Sequence, residues 1–196
     1  MKTLILTFFF SSLFVLLSLT LYANEKNNSE LIVEADNSIE FYEKEKYYLA
    51  SGNAIASKDG ITLKANTIKA FFDKKKNINK IIANGNASIL KEGIIAKAGK
   101  VRYNFKNQFI VLTKNTQSFR SKEVFIKTQE ILSFDNLKKI AIGKGKVQVT
   151  LKSGIKLFTD QLIANFNNSN NSLTKANAKG NVIIITKNER TSSNFA

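Results

Sequence analysis

Two features of this sequence have residue types that could do chemistry. The stretch GIIAKAGKV, Gly93 to Val101, has the glycines and lysine of a loop that cradles phosphates, and Asp36 and Asp160 are the residue type that acid–base hydrolysis uses in pairs. Neither survives inspection. Five residues separate Gly93 from Gly99 where a phosphate loop has four, and Val101 stands where a hydroxyl is needed to hold magnesium. The two aspartates occupy equivalent positions of an internal repeat that carries Asn66, Gly99 and Gln129 in other copies. A residue that bends the chain fits all five positions, whereas a catalytic acid fits two. The 196 residues include no histidine and no cysteine. Imidazole bases, thiolate nucleophiles, Cys/His metal clusters and disulfides are therefore all excluded. The protein is read as a non-enzyme with no metal and no cofactor.

The elements that carry these residues come from the repeat. Five segments open alike: GNAIASKDG at Gly52, GNASILKEG at Gly85, NTQSFRSKE at Asn115, GKVQVTLKSG at Gly145 and GNVIIITKN at Gly180. Self-similarity at an interval of about 30 residues marks a fold made by stacking one supersecondary unit. Seven of the nine glycines fall on the repeat's two glycine positions, as turn and strand-entry residues. After the second glycine come ITLKANTIKAFF, IIAKAGKVRYNF, VFIKTQEILSF and IKLFTDQLIANF, and an earlier half copy, LIVEADNSIEFY, starts at Leu31. Apolar residues alternate within them, as in Val101, Tyr103 and Phe105, which is the period of a strand with one buried face. Turn clusters such as SKDG, DKKKN and FNNSNNS separate about 15–16 short strands. The fold class is all-β, either a two-sheet jelly roll or a β-solenoid.

The ends of the chain are different in kind. Lys2 and the uncharged run Leu4 to Tyr22 read as a signal peptide, residues 1–23, cleaved after Ala23. Retained, the same run is long enough to anchor the chain in a membrane. A polar segment, 24–30, leads into a single domain over 31–187, and 188–196 reads as a polar tail. With Lys2 set aside, the 30 Lys and Arg become 29 against 15 Asp and Glu. The domain is basic, and for an exported chain the fitting acidic partner is phosphorylated lipid or an anionic membrane surface. The leader argues against a nucleic-acid-binding β protein. The lack of an acidic cluster argues against a β-solenoid enzyme acting on polysaccharide.

The segment VEADNSIEFYEKEKYYLASGNAIASKDGITLKANTI resembles the LptA/OstA-like family of lipopolysaccharide-transport periplasmic proteins. The resemblance is carried by Ala35–Asp36, the G-N strand opening at Gly52, the turn glycine Gly60 and the Ala65–Asn66 echo, and it extends from about Leu31 to Thr186. It implies an open β-jelly roll of antiparallel strands that takes lipopolysaccharide acyl chains between its sheets and bridges the inner and outer membranes. The implied location is the periplasm, and the implied partners are lipopolysaccharide, an LptC-like inner-membrane protein and an LptD-like outer-membrane protein. A membrane-anchored LptC-like component is the alternative within the family. No nucleic acid is expected.

Strand parity assigns the candidate groove. The inward row comprises Leu63, Ile68 and Phe72 of the first copy, then Ile89, Val101, Tyr103 and Phe105 of the second. It continues with Phe119 and Ile126, and with Val147, Val149, Leu157, Leu162 and Phe166. Filling a core requires the same alternation. Small inward residues, including Ala56, Ala70, Ala96 and Ala164, leave room for an acyl chain or allow tighter packing. Lysines also fall in register: Lys58 and Lys91, with Lys122 and Lys152, sit on one turn of successive copies, and Lys64, Lys97 and Lys127 occupy one outward strand position. They are read as attracting lipid phosphates. The last copy, GNVIIITKN, has no second half, and the half copy at Leu31 lacks the strand before it. Val33, Val182 and Ile184 are therefore expected at exposed edges that join copies head to tail.

Overall fold

The computed structural model describes residues 31–58, 60–91, 93–167 and 173–196. The expected leader, its cleavage site after Ala23 and the polar segment 24–30 lie outside the described residues. The elements are β1 (Ile32–Glu34), β2 (Ser38–Tyr42), β3 (Tyr47–Lys58), β4 (Ile61–Phe72), β5 (Ile78–Lys91), β6 (Ile94–Asn104) and β7 (Phe109–Thr113). They continue as β8 (Gln117–Arg120), β9 (Val124–Thr128), β10 (Ile131–Asp135), β11 (Ile140–Leu151), β12 (Lys156–Phe166), β13 (Leu173–Ile185) and β14 (Arg190–Phe195). Every pairing is antiparallel, which decides for the jelly roll over a solenoid of parallel coils. Strands follow one another along the sheet in the order β1-β3-β4-β5-β6-β7-β10-β11-β12-β13-β14, with β2 beside β3 and with β8 and β9 bridging β6 to β11.

The strands are fewer and longer than the sequence suggests, because the repeat's opening Gly-Asn does not start a strand. It bulges one. Gly52–Asn53 opposes the single residue Asn66, between the pairs Ser51↔Thr67 and Ala54↔Ala65, and both bulge residues have left-handed φ, +84° and +42°. A side chain at Gly52 would place its Cβ 2.6 Å from the Asn37 Cγ, so only glycine fits. Asn53 Nδ2 donates to the Asp36 Oδ2 at 2.8 Å, and Asn181 repeats that bond to Asp160, also at 2.8 Å. The recurrent aspartates thus brace the bulges. In the third copy, which lacks both glycines, Lys114 and Asn115 take the left-handed conformation and the strand is cut into β7 and β8.

The bulges bend each long strand so that its two halves belong to different leaves. Leaf one contains β2, β7, β10 and the segments 47–51, 67–72, 78–84, 100–104, 140–144, 161–166 and 173–179. Leaf two contains β1, β8, β9, β14 and the segments 54–58, 61–65, 87–91, 94–98, 147–151, 156–159 and 182–185. Their inner faces share one core, in which Ala54, Ile68, Ala83, Val101, Val147 and Val182 are among the most deeply buried side chains. Alanines sit beside the bend, where the pairs Ala54↔Ala65 and Ala87↔Ala98 let the leaves converge. The third copy places Gln117 and Thr128 there instead. Both are fully buried, with the Thr128 hydroxyl donating to Gln117 Oε1 at 2.8 Å and Gln117 Nε2 donating to the Asn115 carbonyl at 2.6 Å.

The C-terminal end corrects two expectations. Residues 190–195 are not a polar tail but strand β14, and Ala178 and Ala196 exchange backbone hydrogen bonds in both directions. Val182 and Ile184 therefore lie on a strand flanked on both sides, and Val182 is 2% exposed. The edge strand is β14, whose polar side chains RTSSN alternate too little to signal a strand in sequence. Val33 does lie at an edge, on β1 opposite Ala56.

Candidate lipid-binding groove

Away from the bend the leaves diverge and leave an apolar cavity of about 300 Å³ between them. Leaf two contributes Ala56, Leu63, Ile89, Ala96, Phe119 and Ile126, which form a continuous cross-strand row. Leaf one contributes two rows, Val101–Leu112–Leu132 and Ile81–Tyr103–Ile110–Phe134–Ala141, with Phe105 and Phe166 toward its rim. Tyr103 and Phe105 meet edge to face at 4.6 Å between ring centres. Burial pushes the Tyr103 phenol up from its ordinary value, so the ring is neutral at physiological pH. A wider recess of about 840 Å³ continues the gap to the N-terminal edge, lined by Val33, Ile39, Tyr48, Ile68, Phe72 and Phe105. Ile39 and Phe41 pair with Ala50 and Tyr48 on the inner face, yet are about half exposed, because the facing leaf has only the three residues of β1 there.

The inward row read from parity thus divides. Leu63, Ile89, Val101, Tyr103, Phe105, Phe119, Ile126 and Phe166 line the cavity, and Ile68 and Phe72 line the recess. Val147, Val149, Leu157 and Leu162 line neither. They pack in the core over the C-terminal third, where the leaves are closed on each other. Sequence reasoning missed Ile81, Ile110, Leu112, Leu132 and Phe134, although Ile110 and Leu112 alternate as Tyr103 and Val101 do. Of the small inward residues, Ala56 and Ala96 line the cavity and Ala70 the recess, while Ala164 packs under Phe134 and Phe166.

The registered lysines also divide. Lys58 and Lys91 end β3 and β5 on the inner face and line the cavity at its rim. Lys76, from the DKKKN turn of the opposite leaf, joins Lys58 at the recess. Lys64, Lys97 and Lys127 form one row on the outer face of leaf two, spaced by Ser88 and Ser118, so no two lysines are directly opposed. That row faces away from the groove. Lys152 pairs with Glu123 at 3.7 Å in the turn region.

One polar network interrupts the apolar lining. Gln108, in the turn between β6 and β7, lines the cavity. Asn136 Nδ2 donates to Gln108 Oε1, and Lys139 Nζ donates to Asn136 Oδ1 at 3.0 Å. The Asn136 backbone N–H also donates to the Gln108 carbonyl at 3.1 Å, and Asn136 is only 8% exposed. Desolvation holds the Lys139 ammonium below its ordinary pKa. No helix among the described residues is long and apolar enough to cross a membrane.

Fold and groove together define a class: a bent, two-leaved antiparallel β protein whose leaves enclose an apolar gap with a basic rim. Residues 32–132 match the family described as LptA/(LptD N-terminal domain) LPS transport protein. The match spans just over half of the chain, from β1 into β10, and the chain belongs to this family. A solved structure similar to it is that of LptH from Pseudomonas aeruginosa, described as the LptA-homologous periplasmic component of the conserved lipopolysaccharide transport device. That similarity has 10% identity and a TM-score of 0.35, and covers 81% of this chain and 96% of LptH. No curated protein matches the sequence.

Proposed function

We propose that this protein is a periplasmic lipopolysaccharide carrier that holds acyl chains between its leaves and passes the lipid from the inner toward the outer membrane. The observation that carries this reading is the apolar gap, whose lining residues fall largely within the family-matched segment. Burying an acyl chain is worth about 0.8 kcal/mol per methylene before the cost of ordering it. The lipid phosphates then meet Lys58, Lys91 and Lys76 at the rim, and the outer row Lys64, Lys97 and Lys127 serves longer-range attraction. An LptC-like protein is the donor, an LptD-like protein the acceptor, and other machinery supplies the energy. The mature chain begins at Asn24.

Head-to-tail assembly follows from the two edges. The N-terminal edge carries Glu34, Asp36, Glu40, Glu43 and Glu45 against Lys44 and Lys46, and the C-terminal edge carries Lys175, Lys179, Lys187 and Arg190 against Glu189. Opposite charge favours joining unlike edges over like ones, which yields an open chain rather than a closed dimer. The β1–β2 edge then meets β14, not the strand of Ile184.

Competition with labelled lipopolysaccharide tests the carrier reading. Intact lipopolysaccharide displaces the label, while a fully deacylated preparation with its phosphates kept does not. Equal displacement by the two would mean that the rim lysines, and not the groove, hold the ligand.

A further inference from the structure

The Gln108–Asn136–Lys139 network has more order than a lining needs. An ammonium only donates, so the Lys139 bond fixes the Asn136 amide with Oδ1 toward Lys139 and Nδ2 toward Gln108. Asn136 in turn fixes Gln108 with Oε1 as the acceptor, and the backbone bond from Asn136 to the Gln108 carbonyl locks the two turns together. What remains for Gln108 to offer is its Nε2, a donor of two hydrogen bonds with no protein partner among the described residues. Gln108 shares the cavity lining with Phe105, Ile110 and Phe166, in a lining that is otherwise mostly hydrocarbon.

We infer that Gln108 reads the carbonyl oxygen of a fatty-acyl ester or amide, the first polar atom of an acylated lipid as its chain leaves the apolar groove. The inference rests on the carrier reading and deepens it: the leaves bind hydrocarbon of any kind, and Gln108 selects acyl over alkyl chains and sets how deep each chain sits. A single neutral donor in an apolar lining matches a neutral carbonyl oxygen, whereas the rim lysines supply the charge that a phosphate calls for.

The test compares two detergent-dispersed lipids of equal chain length, ester-linked phosphatidylglycerol and its ether-linked analogue, as competitors of labelled lipopolysaccharide. Wild type is expected to bind the ester about three- to tenfold more tightly, the span of one net hydrogen bond. Gln108→Glu keeps the shape and the acceptor for Asn136 but replaces the donor; its added charge weakens both anionic lipids, so the readout is the ester-to-ether ratio, which should fall to about one. Equal binding of the two lipids by wild type overturns the role of Gln108, and so does displacement of lipopolysaccharide by neither lipid. Equal weakening of both in Gln108→Glu has the same meaning. All three outcomes leave the carrier reading standing. Failure of wild type to bind lipopolysaccharide at all overturns the carrier reading and this inference with it. The wild-type comparison stands on its own if the variant melts early.

Discussion

At the scale of single residues, groove and core are written in the same letters. Phe105 and Val149 both fall on inward positions of the repeat's alternation, yet Phe105, just past the end of β6, lines the cavity and the recess, while Val149 is 2% exposed in the closed third of the molecule. The difference lies in whether the opposite leaf reaches the side chain, which no local pattern encodes. It sets opposite outcomes for two substitutions. Phe105→Asp puts a carboxylate where an acyl chain cannot compensate its lost hydration, so lipid affinity should fall more than tenfold, while loss of the contact with Tyr103 lowers the melting temperature without unfolding the protein. Val149→Ala should lower stability by about 1 to 2 kcal/mol and leave lipid affinity as it was. Thermal melting and lipopolysaccharide titration of both variants check the assignment, and a Phe105→Asp protein that still binds would move the groove elsewhere.

At the scale of elements, the sequence period of about 30 residues was legible because four of the five copies keep a glycine at their opening, and all seven glycines on the repeat positions have positive φ. What it does not reveal is whether a Gly-Asn pair ends a strand or bulges it, since both need the left-handed conformation. The neighbour across the pairing decides, with Ser51 and Ala54 both held by β4. Where the glycines are lost, the bend depends on the buried Gln117–Thr128 pair. Removing either partner strands a buried polar group, so Gln117→Ala and Thr128→Ala should each cost about 1 to 3 kcal/mol. The double variant restores the Ala–Ala arrangement of Ala54↔Ala65 and Ala87↔Ala98 and should lose less than the sum of the two. A coupling of about 1 kcal/mol in urea denaturation is expected, and strictly additive losses would show that the pair does not act as a unit.

At the scale of the whole molecule, the two edges differ in charge and in cover. The β1–β2 edge is acidic with half-exposed Ile39 and Phe41 on its inner face, whereas β14 closes the other end with polar side chains. Light scattering on wild type should give a mass that grows with concentration without a plateau and shrinks with added salt. Glu34→Lys with Glu40→Lys makes both edges basic and should return a folded monomer that still binds lipopolysaccharide. A wild type that stays monomeric at high concentration would sink head-to-tail assembly.

Composition and periodicity alone determined much here: no His or Cys, hence no common catalytic or zinc chemistry, and a repeated strand pattern, hence an all-β fold, which the family resemblance narrows to the jelly roll of lipopolysaccharide transport. Alternation is a local property, and it reports which face of a strand is buried. The tertiary structure decided what that face is buried against. Lys58 and Lys64 both recur in register along the repeat and both read as attracting phosphate, but one lines the cavity and the other the outer surface. The GNVIIITKN strand reads as an edge, but a polar segment with no apolar alternation pairs along it. A strand's partner is fixed by backbone hydrogen bonds, which every residue but proline can make, so the sequence carries little mark of them.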